Sequence, residues 1–231
     1  MCHGQAVEAF PEPTTPTPFD QGVSGYRFGD SSGKSVAILP DIYGCNEFYQ
    51  GLSAHLAQKG KQVYLVDTFA GLGDLSEQTR EAAFARRNRV ADKTFLDSFE
   101  DFCADVAIDG VIGFCLGGLY VFELARRGVR ADLLGLYGFP QGLPNQDALP
   151  VPFEYLSDVE QPFSMLLGAD DESVGKDNIG RLAEMTPNVP AMNLTIYEGV
   201  GHNFLPLLDS DQAELKAVAE DALRHIENVA G

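Results

Sequence analysis

A cysteine in a glycine-rich turn is the residue whose surroundings most clearly suggest catalysis. Residues 113–117 read GFCLG, with Cys115 at the centre and a glycine two positions away on each side. This is the G-x-nucleophile-x-G pattern of a sharp strand-to-helix turn, with cysteine where serine is usual. A helix that starts at the sulfur favours the thiolate, which is the reactive form. The pentapeptide alone leaves open a buried structural cysteine.

An acid and a histidine follow the cysteine in the order that a triad on this kind of turn requires, nucleophile then acid then histidine. Residues 168–172 read GADDE after one apolar run, and residues 199–204 read GVGHNF after the next. His202 is the one histidine of four in a glycine-rich loop after a predicted strand. These three matches predict a catalytic triad of Cys115, His202 and one of the acids at 170–172.

The segments that must position these groups alternate regularly. From residue 35, short apolar runs alternate with stretches that have apolar residues at helical spacing. The predicted strands are 36–39, 63–66, 111–114, 133–137, 163–167 and 193–197. The predicted helices are one from an Asn46 cap to Gly60, then 76–89, 92–106, 116–127, 177–185 and 211–229. This series predicts a three-layer α/β fold, a mostly parallel sheet with helices on both faces, whose reactive groups collect at the carboxyl ends of the strands.

Proline content sets the expected limits of the domain. Residues 11–18 hold four of the 13 prolines, and proline cannot donate to a helix or a sheet. We therefore expect an extended Pro/Thr-rich tail over residues 1–24 and a single domain over 25–231. Residues 138–162, rich in proline and without a period, are expected to form a long loop.

The composition excludes several classes of partner. Sixteen basic and 34 acidic residues give a formal charge of −18, so nucleic acid and anionic membranes are not expected partners. No run of 18 apolar residues and no secretory signal is found, which favours a cytoplasmic protein. The Cys2-His3 pair has too few neighbouring ligands for a metal site, so no metal is expected.

Three segments resemble the dienelactone hydrolase family of α/β-hydrolases. They are GFCLGG at 113–118, the Gly168 to Val174 segment around the acid, and GHNF at 201–204. The resemblance covers roughly residues 30–230 and implies an α/β-hydrolase fold that cleaves esters and lactones with a Cys-His-Asp triad and no cofactor. It implies Cys115 as nucleophile, His202 as base and then acid, and Asp171, rather than Asp170 or Glu172, as the group that orients His202.

The chemistry also needs two N–H donors for the oxyanion of a tetrahedral intermediate. The N–H of Leu116, directly after the nucleophile, is one. The loop after the first strand, residues 40–44, is expected to supply the other, and the family resemblance assigns it to Ile42; a plain strand-to-helix turn is the alternative. Asp41 stands where the resemblance implies a glutamate that contacts the resting thiol, and a shorter side chain there either modulates Cys115 or makes a local turn bond.

The resemblance implies substrate contacts on the helix at 76–89. Arg80 and Phe84 share one helix face, and arginine suits a carboxylate. A solvated basic face that also includes Arg86, Arg87 and Arg89 is the alternative. Members that take dienelactone carry a second arginine where this chain has Pro206, preceded by Leu205, and a tyrosine where it has Phe84. We therefore expect a more apolar pocket and a small ester, lactone or thioester substrate.

Two rival functions remain open at this stage. One is a broad carboxylesterase or thioesterase without lactone preference, and the other is a non-catalytic α/β-hydrolase-like protein that binds a ligand. A monomer or weak homodimer is expected. Of the remaining thiols, Cys45 is expected near the pocket and Cys103 in the core.

Overall fold

The computed structural model describes residues 6–12, 15–30 and 32–231, so the Cys2-His3 pair lies outside the described residues. In these residues the strands are β1 (Thr17–Gln21), β2 (Val23–Phe28), β3 (Ser35–Leu39), β4 (Gln62–Val66), β5 (Gly110–Phe114), β6 (Asp132–Leu136), β7 (Phe163–Gly168) and β8 (Met192–Tyr197). The α-helices are α1 (Glu47–Gln58), α2 (Arg80–Arg87), α3 (Asp92–Val106), α4 (Leu116–Arg127), α5 (Pro152–Tyr155), α6 (Lys176–Met185) and α7 (Ala213–Asn228).

The strands form a single eight-stranded sheet in the order β1-β2-β4-β3-β5-β6-β7-β8. All neighbouring pairs from β4 to β8 are parallel, whereas β1 and β2 are antiparallel additions at one edge. The expected mostly parallel sheet is therefore confirmed. The carboxyl ends of β3 to β8 all lie at one edge of the sheet, where this topology collects reactive groups.

Each face of the sheet is covered by its own layer of helices. Within β3, Val36 and Ile38 pack into the apolar cluster that includes α1 and α7, while Ala37 and Leu39 pack into the cluster that includes α3, α4 and α6. Strands buried on both sides in this way read as continuous apolar runs, which is the pattern that predicted them. The three-layer α/β arrangement is thus confirmed.

The N-terminal limit of the domain differs from the expected one. Residues 17–21 form the edge strand β1 and residues 23–28 form β2, so the last part of the expected tail, residues 17–21 and 23–24, belongs to the sheet. Phe19 stacks on Phe102 with ring centres 5.4 Å apart, and Val7 and Phe10 are buried. The prolines of this segment allow β1 because it is an edge strand, where missing donors cost little.

Two helical segments also differ from expectation. The helix expected over 76–89 begins at Arg80, because the Thr79 hydroxyl accepts from the Ala82 N–H at 3.2 Å and caps the first turn. The loop expected over 138–162 contains the short helix α5, which starts at Pro152. In the part of the chain that the structure describes, no helix combines the length and the apolar character needed to cross a bilayer.

Candidate active site

Cys115 occupies a sharp turn between β5 and α4. Its φ of 56° and ψ of −104° are unusual for a residue with a side chain and cost about 1–3 kcal/mol. A side chain at Gly113 would collide with the backbone of Gly117, and one at Gly117 would collide with the backbone of Leu39. The Cys115 N–H donates to the Leu136 carbonyl at 2.9 Å. The two glycines are thus required, and the sulfur stands at the N-terminal end of α4.

His202 and Asp171 form a short hydrogen bond at the ends of two other strands. Nδ1 of His202 lies 2.7 Å from Oδ2 of Asp171. The other carboxylate oxygen, Oδ1, accepts from the N–H groups of Ser173 at 2.9 Å and Val174 at 3.0 Å. Asp171 is fully buried and His202 is largely buried. The carboxylate is therefore fixed by the loop after β7, and it in turn fixes one nitrogen of the imidazole ring.

The two neighbouring acids lie at the surface instead. Asp170 is exposed and pairs with Lys176 at 2.7 Å on the surface, and Glu172 is also exposed. Neither side chain shares the buried position of Asp171. The spacing from Gly168 to Val174, which singled out Asp171 in the sequence, therefore selects the acid that contacts His202.

Backbone hydrogen bonds hold the loops of the candidate site to the same edge of the sheet. The N–H of Tyr137, just past β6, donates to the Leu166 carbonyl at 3.0 Å, and the N–H of Ala169, just past β7, donates to the Tyr197 carbonyl at 2.8 Å. Each loop is thus tied to the end of the next strand. The loops after β5, β6, β7 and β8 therefore all leave the same edge of the sheet, in the order of their strands.

Two aromatic residues that sequence reasoning did not single out support the histidine. The ring centres of Tyr137 and Phe139 lie 5.3 Å and 5.7 Å from that of His202. The Tyr137 hydroxyl oxygen also accepts from the Leu205 N–H at 2.9 Å, in the chain segment that follows the histidine. Full burial raises the pKa of Tyr137 well above its usual value, so it acts as a neutral hydroxyl. No periodic signal marks these residues, because Tyr137 reads as the end of a strand and Phe139 as part of a loop.

The loop after β3 forms a tight turn over residues 41–44. The Gly44 N–H donates to the Asp41 carbonyl at 3.0 Å, and the Tyr43 N–H donates to the Asp41 carboxylate at 2.8 Å. Asp41 is fully buried, and its own N–H donates to the Tyr49 hydroxyl at 3.3 Å. Asp41 therefore makes the local turn bond that the sequence left as one alternative. Ile42, at the second position of this turn, is buried as well.

The chain is similar along almost its whole length to known proteins. Residues 23–229 match the model of the dienelactone hydrolase family. The chain belongs to the dienelactone hydrolase family. It is 44% identical to carboxymethylenebutenolidase 2 of Cupriavidus pinatubonensis over 97% of this chain and 96% of that protein. A carboxymethylenebutenolidase of Rhodococcus opacus is 30% identical over 96% of this chain and 93% of its own length.

Solved structures show the same fold at lower identity. A protein from Klebsiella pneumoniae subsp. pneumoniae assigned as a dienelactone hydrolase superposes with a TM-score of 0.75 at 19% identity, covering 95% of this chain and 97% of the other. An esterase of Pyrococcus furiosus, Pf2001, gives 0.63 at 16% identity over 96% and 94%. This member of the dienelactone hydrolase family therefore has the α/β-hydrolase fold, and it is a carboxylic ester hydrolase resembling dienelactone hydrolase.

The arginine-rich helix of this family member has two different sides. Arg80 is exposed, with its guanidinium carbon 5.4 Å from the ring centre of half-buried Phe84. Arg87 is only 1% exposed and pairs with Asp92 at 2.6 Å, and Tyr120 donates to the same carboxylate at 2.7 Å. Burial raises the pKa of Asp92, and the Arg87 charge partly offsets this rise. A fully solvated basic face is therefore wrong for this helix, because Arg87 belongs to the core.

The two other described thiols differ from Cys115 in their surroundings. Cys45 is half-buried with its Sγ 3.5 Å from the Val66 carbonyl, and burial together with the nearby Asp67 charge raises its pKa well above the usual range. Cys103 is buried in α3, as expected, and burial raises its pKa to about 12. Both environments disfavour a thiolate. Among residues 6–12, 15–30 and 32–231 no group of three or more His, Cys, Asp or Glu side chains is arranged to hold a metal ion.

Proposed function

We propose that this family member hydrolyses small esters or lactones through a triad of Cys115, His202 and Asp171 and a thioester intermediate. The observation that carries the proposal is the 2.7 Å bond between His202 Nδ1 and the buried Asp171 carboxylate, at the edge of the sheet where the Cys115 turn also lies. A buried acid that orients an imidazole at the same edge of the sheet as a strained nucleophile turn fits the arrangement that acyl transfer requires.

In the acylation step, the Cys115 thiol loses its proton to His202. Because Nδ1 is bonded to Asp171, the proton passes to Nε2. The sulfur then bonds to the substrate carbonyl carbon, and the carbonyl electron pair moves onto oxygen to give a tetrahedral oxyanion. When this intermediate collapses, the bond to the leaving oxygen breaks and His202 returns the proton to that oxygen. An ester releases its alcohol here, whereas the opened hydroxyl of a lactone stays attached to the acyl group.

In the deacylation step, water repeats the same sequence. His202 accepts a proton from water, the hydroxide adds to the thioester carbon, and the second tetrahedral oxyanion collapses with cleavage of the carbon–sulfur bond. The proton on His202 returns to the sulfur. The products are a carboxylic acid and the resting thiol, so no external cofactor is consumed. Throughout, Asp171 stabilises the imidazolium but is not itself protonated.

The proposed oxyanion hole is formed by two backbone N–H groups. Leu116, at the first position of α4, supplies one donor beside the partial positive charge of a helix N-terminus. Ile42, in the turn over residues 41–44, supplies the second. Losing one such donor costs on the order of 3 kcal/mol of transition-state stabilisation. The Asp41 carboxylate accepts the turn bond from the Tyr43 N–H. That it also modulates the Cys115 thiol stays a prediction.

The substrate is proposed to be a small lactone or ester, with or without one carboxylate. The similarity to proteins named carboxymethylenebutenolidase favours a lactone. Arg80 beside Phe84 offers one cation for an acidic substrate. Pro206, inside the short helical turn Leu205–Asp209, cannot supply a second cation, which favours a broad carboxylesterase or thioesterase as the second candidate. The monomer or weak homodimer and the cytoplasmic location stay predictions.

The assignment of the nucleophile is tested by Cys115→Ala, with Cys45→Ala as the matched control. Turnover of 4-nitrophenyl acetate and of a simple butenolide should fall at least about 10³-fold in the Cys115 variant and stay unchanged in the control. Circular dichroism checks that both variants are folded. Full activity of folded Cys115→Ala would contradict the triad, and binding of lactones without any turnover by the wild type would favour the non-catalytic alternative.

A further inference from the structure

Arg86, in the last turn of α2, connects three segments near the proposed oxyanion hole. Its Nη2 donates to the Ile42 carbonyl oxygen at 3.3 Å, and its Nη1 lies 3.5 Å from the Gly73 carbonyl oxygen. The guanidinium carbon is 4.1 Å from the ring centre of Phe69, which is buried in the loop after β4. One planar group thus joins α2 to the loops that follow β3 and β4.

The turn over residues 41–44 packs directly on this group. Gly44 has a φ of 77°, and a side chain there would meet the Phe69 ring at 3.3 Å and the Arg86 Nη2 at 3.4 Å. The turn itself is closed by the bonds from Gly44 and Tyr43 to Asp41. The bonds within the turn are therefore supplemented by one from outside it, which Arg86 donates to the Ile42 carbonyl.

The carboxylates around Arg86 favour its charged form. Burial lowers the pKa of Arg86, while the carboxylates of Asp67, Asp74 and Asp41 act in the opposite direction. Arginine stays protonated in proteins, so a cation is held against the turn. Arg89, three residues further on, differs because it is exposed and contacts only the Leu72 carbonyl, at 3.3 Å, among its hydrogen bonds given by the structure.

We propose that Arg86 is a positioning residue that fixes the backbone conformation at Ile42 so that the Ile42 N–H faces the developing oxyanion. The inference rests on the proposed function and concerns the same site. Ile42 carries both the proposed donor N–H and the carbonyl that Arg86 holds, so fixing the carbonyl restricts rotation about the backbone bonds next to the donor. Arg86 acts through Ile42 and does not itself touch the substrate. The bond is needed because a donor must already point at the oxyanion before charge develops there.

The test compares Arg86→Met with Arg89→Met, which removes one arginine charge from the same region. For 4-nitrophenyl acetate, kcat should fall about ten- to hundredfold in Arg86→Met, with KM changed by less than about threefold, because only the transition state uses the oxyanion hole. Arg89→Met should match the wild type. A purely structural role would not separate kcat from KM in this way.

Two further measurements distinguish an effect of the substitution on the oxyanion hole from an effect on the Cys115 thiol. A trifluoromethyl ketone forms a tetrahedral adduct on sulfur that needs the hole, so its affinity should fall by a factor similar to that of kcat. Alkylation of Cys115 by iodoacetamide, followed by peptide mass spectrometry, needs no oxyanion and should keep its wild-type rate. Unchanged kcat, or a loss of alkylation rate with unchanged ketone affinity, would overturn the proposal.

Two controls keep the outcome interpretable. Where Arg86→Met is unfolded by circular dichroism, Arg86→Lys carries the same comparison, because lysine keeps the charge but lacks the planar fork, and its kcat should fall about tenfold. In the wild type, alkylation of Cys115 should abolish turnover. Turnover that persists in the wild type after complete alkylation of Cys115 would refute the proposed function itself. If alkylation abolishes turnover of the wild type but the Arg86 variant keeps the wild-type kcat, only the inference about Arg86 is refuted.

Discussion

Replacing Asp171 by asparagine should inactivate the enzyme while leaving its loop intact. Asp171→Asn keeps an oxygen that can still accept from Ser173 and Val174, the two N–H groups bonded to Oδ1. The amide NH₂ would then replace Oδ2, which lies 2.7 Å from His202 Nδ1. An NH₂ cannot accept a proton from Nδ1, so the imidazole is driven to the tautomer with Nδ1 unprotonated, and Nε2 can no longer act as the base.

The size of the effect follows from burial. Asp171 is fully buried and His202 has a side-chain exposure of 11%, so water screens their interaction little. Losing both the tautomer and the counter-charge to the imidazolium is expected to lower kcat about 10³- to 10⁴-fold. The upper value is the loss that the corresponding change causes in a serine protease. This corresponds to about 4–5.5 kcal/mol at 1.36 kcal/mol per tenfold change.

The assay is steady-state hydrolysis of 4-nitrophenyl acetate, with unfolding in urea as the folding control. Asp170→Asn is the matched variant, because Asp170 is the exposed neighbour that pairs with Lys176. It should keep activity within about twofold, since exposed ion pairs contribute little. A loss below tenfold in Asp171→Asn, or equal losses in both variants, would refute the view that the Asp171–His202 bond sets up the base.

Two further predictions concern the pocket and the histidine loop. Arg80→Gln should raise KM for a carboxylate-bearing ester more than for its neutral methyl ester, and equal changes for the two substrates would show that Arg80 does not bind the carboxylate. Tyr137→Phe should lower the free energy of unfolding by about 1–3 kcal/mol in urea titration, because the buried Leu205 N–H loses its acceptor. Unchanged stability of Tyr137→Phe would mean that the hydroxyl contributes nothing net, and Tyr26→Phe, at an exposed tyrosine, serves as its control.

The sequence predicted the elements whose signals are local. The glycines at 113 and 117 predicted the Cys115 turn because only glycine fits against the backbones that pass there. The central strands β3, β4 and β5 were found because burial on both faces makes their sequences nearly continuously apolar. The Asn46 cap was equally local, since its side chain accepts from the N–H groups of Phe48 and Tyr49.

Features that depend on distant contacts could not be predicted. β1 was missed because its residues are mostly exposed, so no alternation of buried and exposed positions marks it, and its prolines suggested a tail. Arg86 and Arg87 adjoin in the sequence, but one contacts Ile42 and the other Asp92. Their separate partners come from the loops and helices packed around α2, which the arginine-rich sequence of that helix does not specify.

A thioester on Cys115 can be trapped with a substrate whose acyl group is released slowly. 4-Nitrophenyl trimethylacetate carries a hindered acyl group whose slow hydrolysis should let the acyl-enzyme accumulate. We expect release of one nitrophenolate per active site and a proportional loss of activity. Peptide mass spectrometry should find one trimethylacetyl group on Cys115, and hydroxylamine should remove it. Loss of activity with the acyl group on another residue, or with no acyl group on the protein, would show that Cys115 is not the nucleophile.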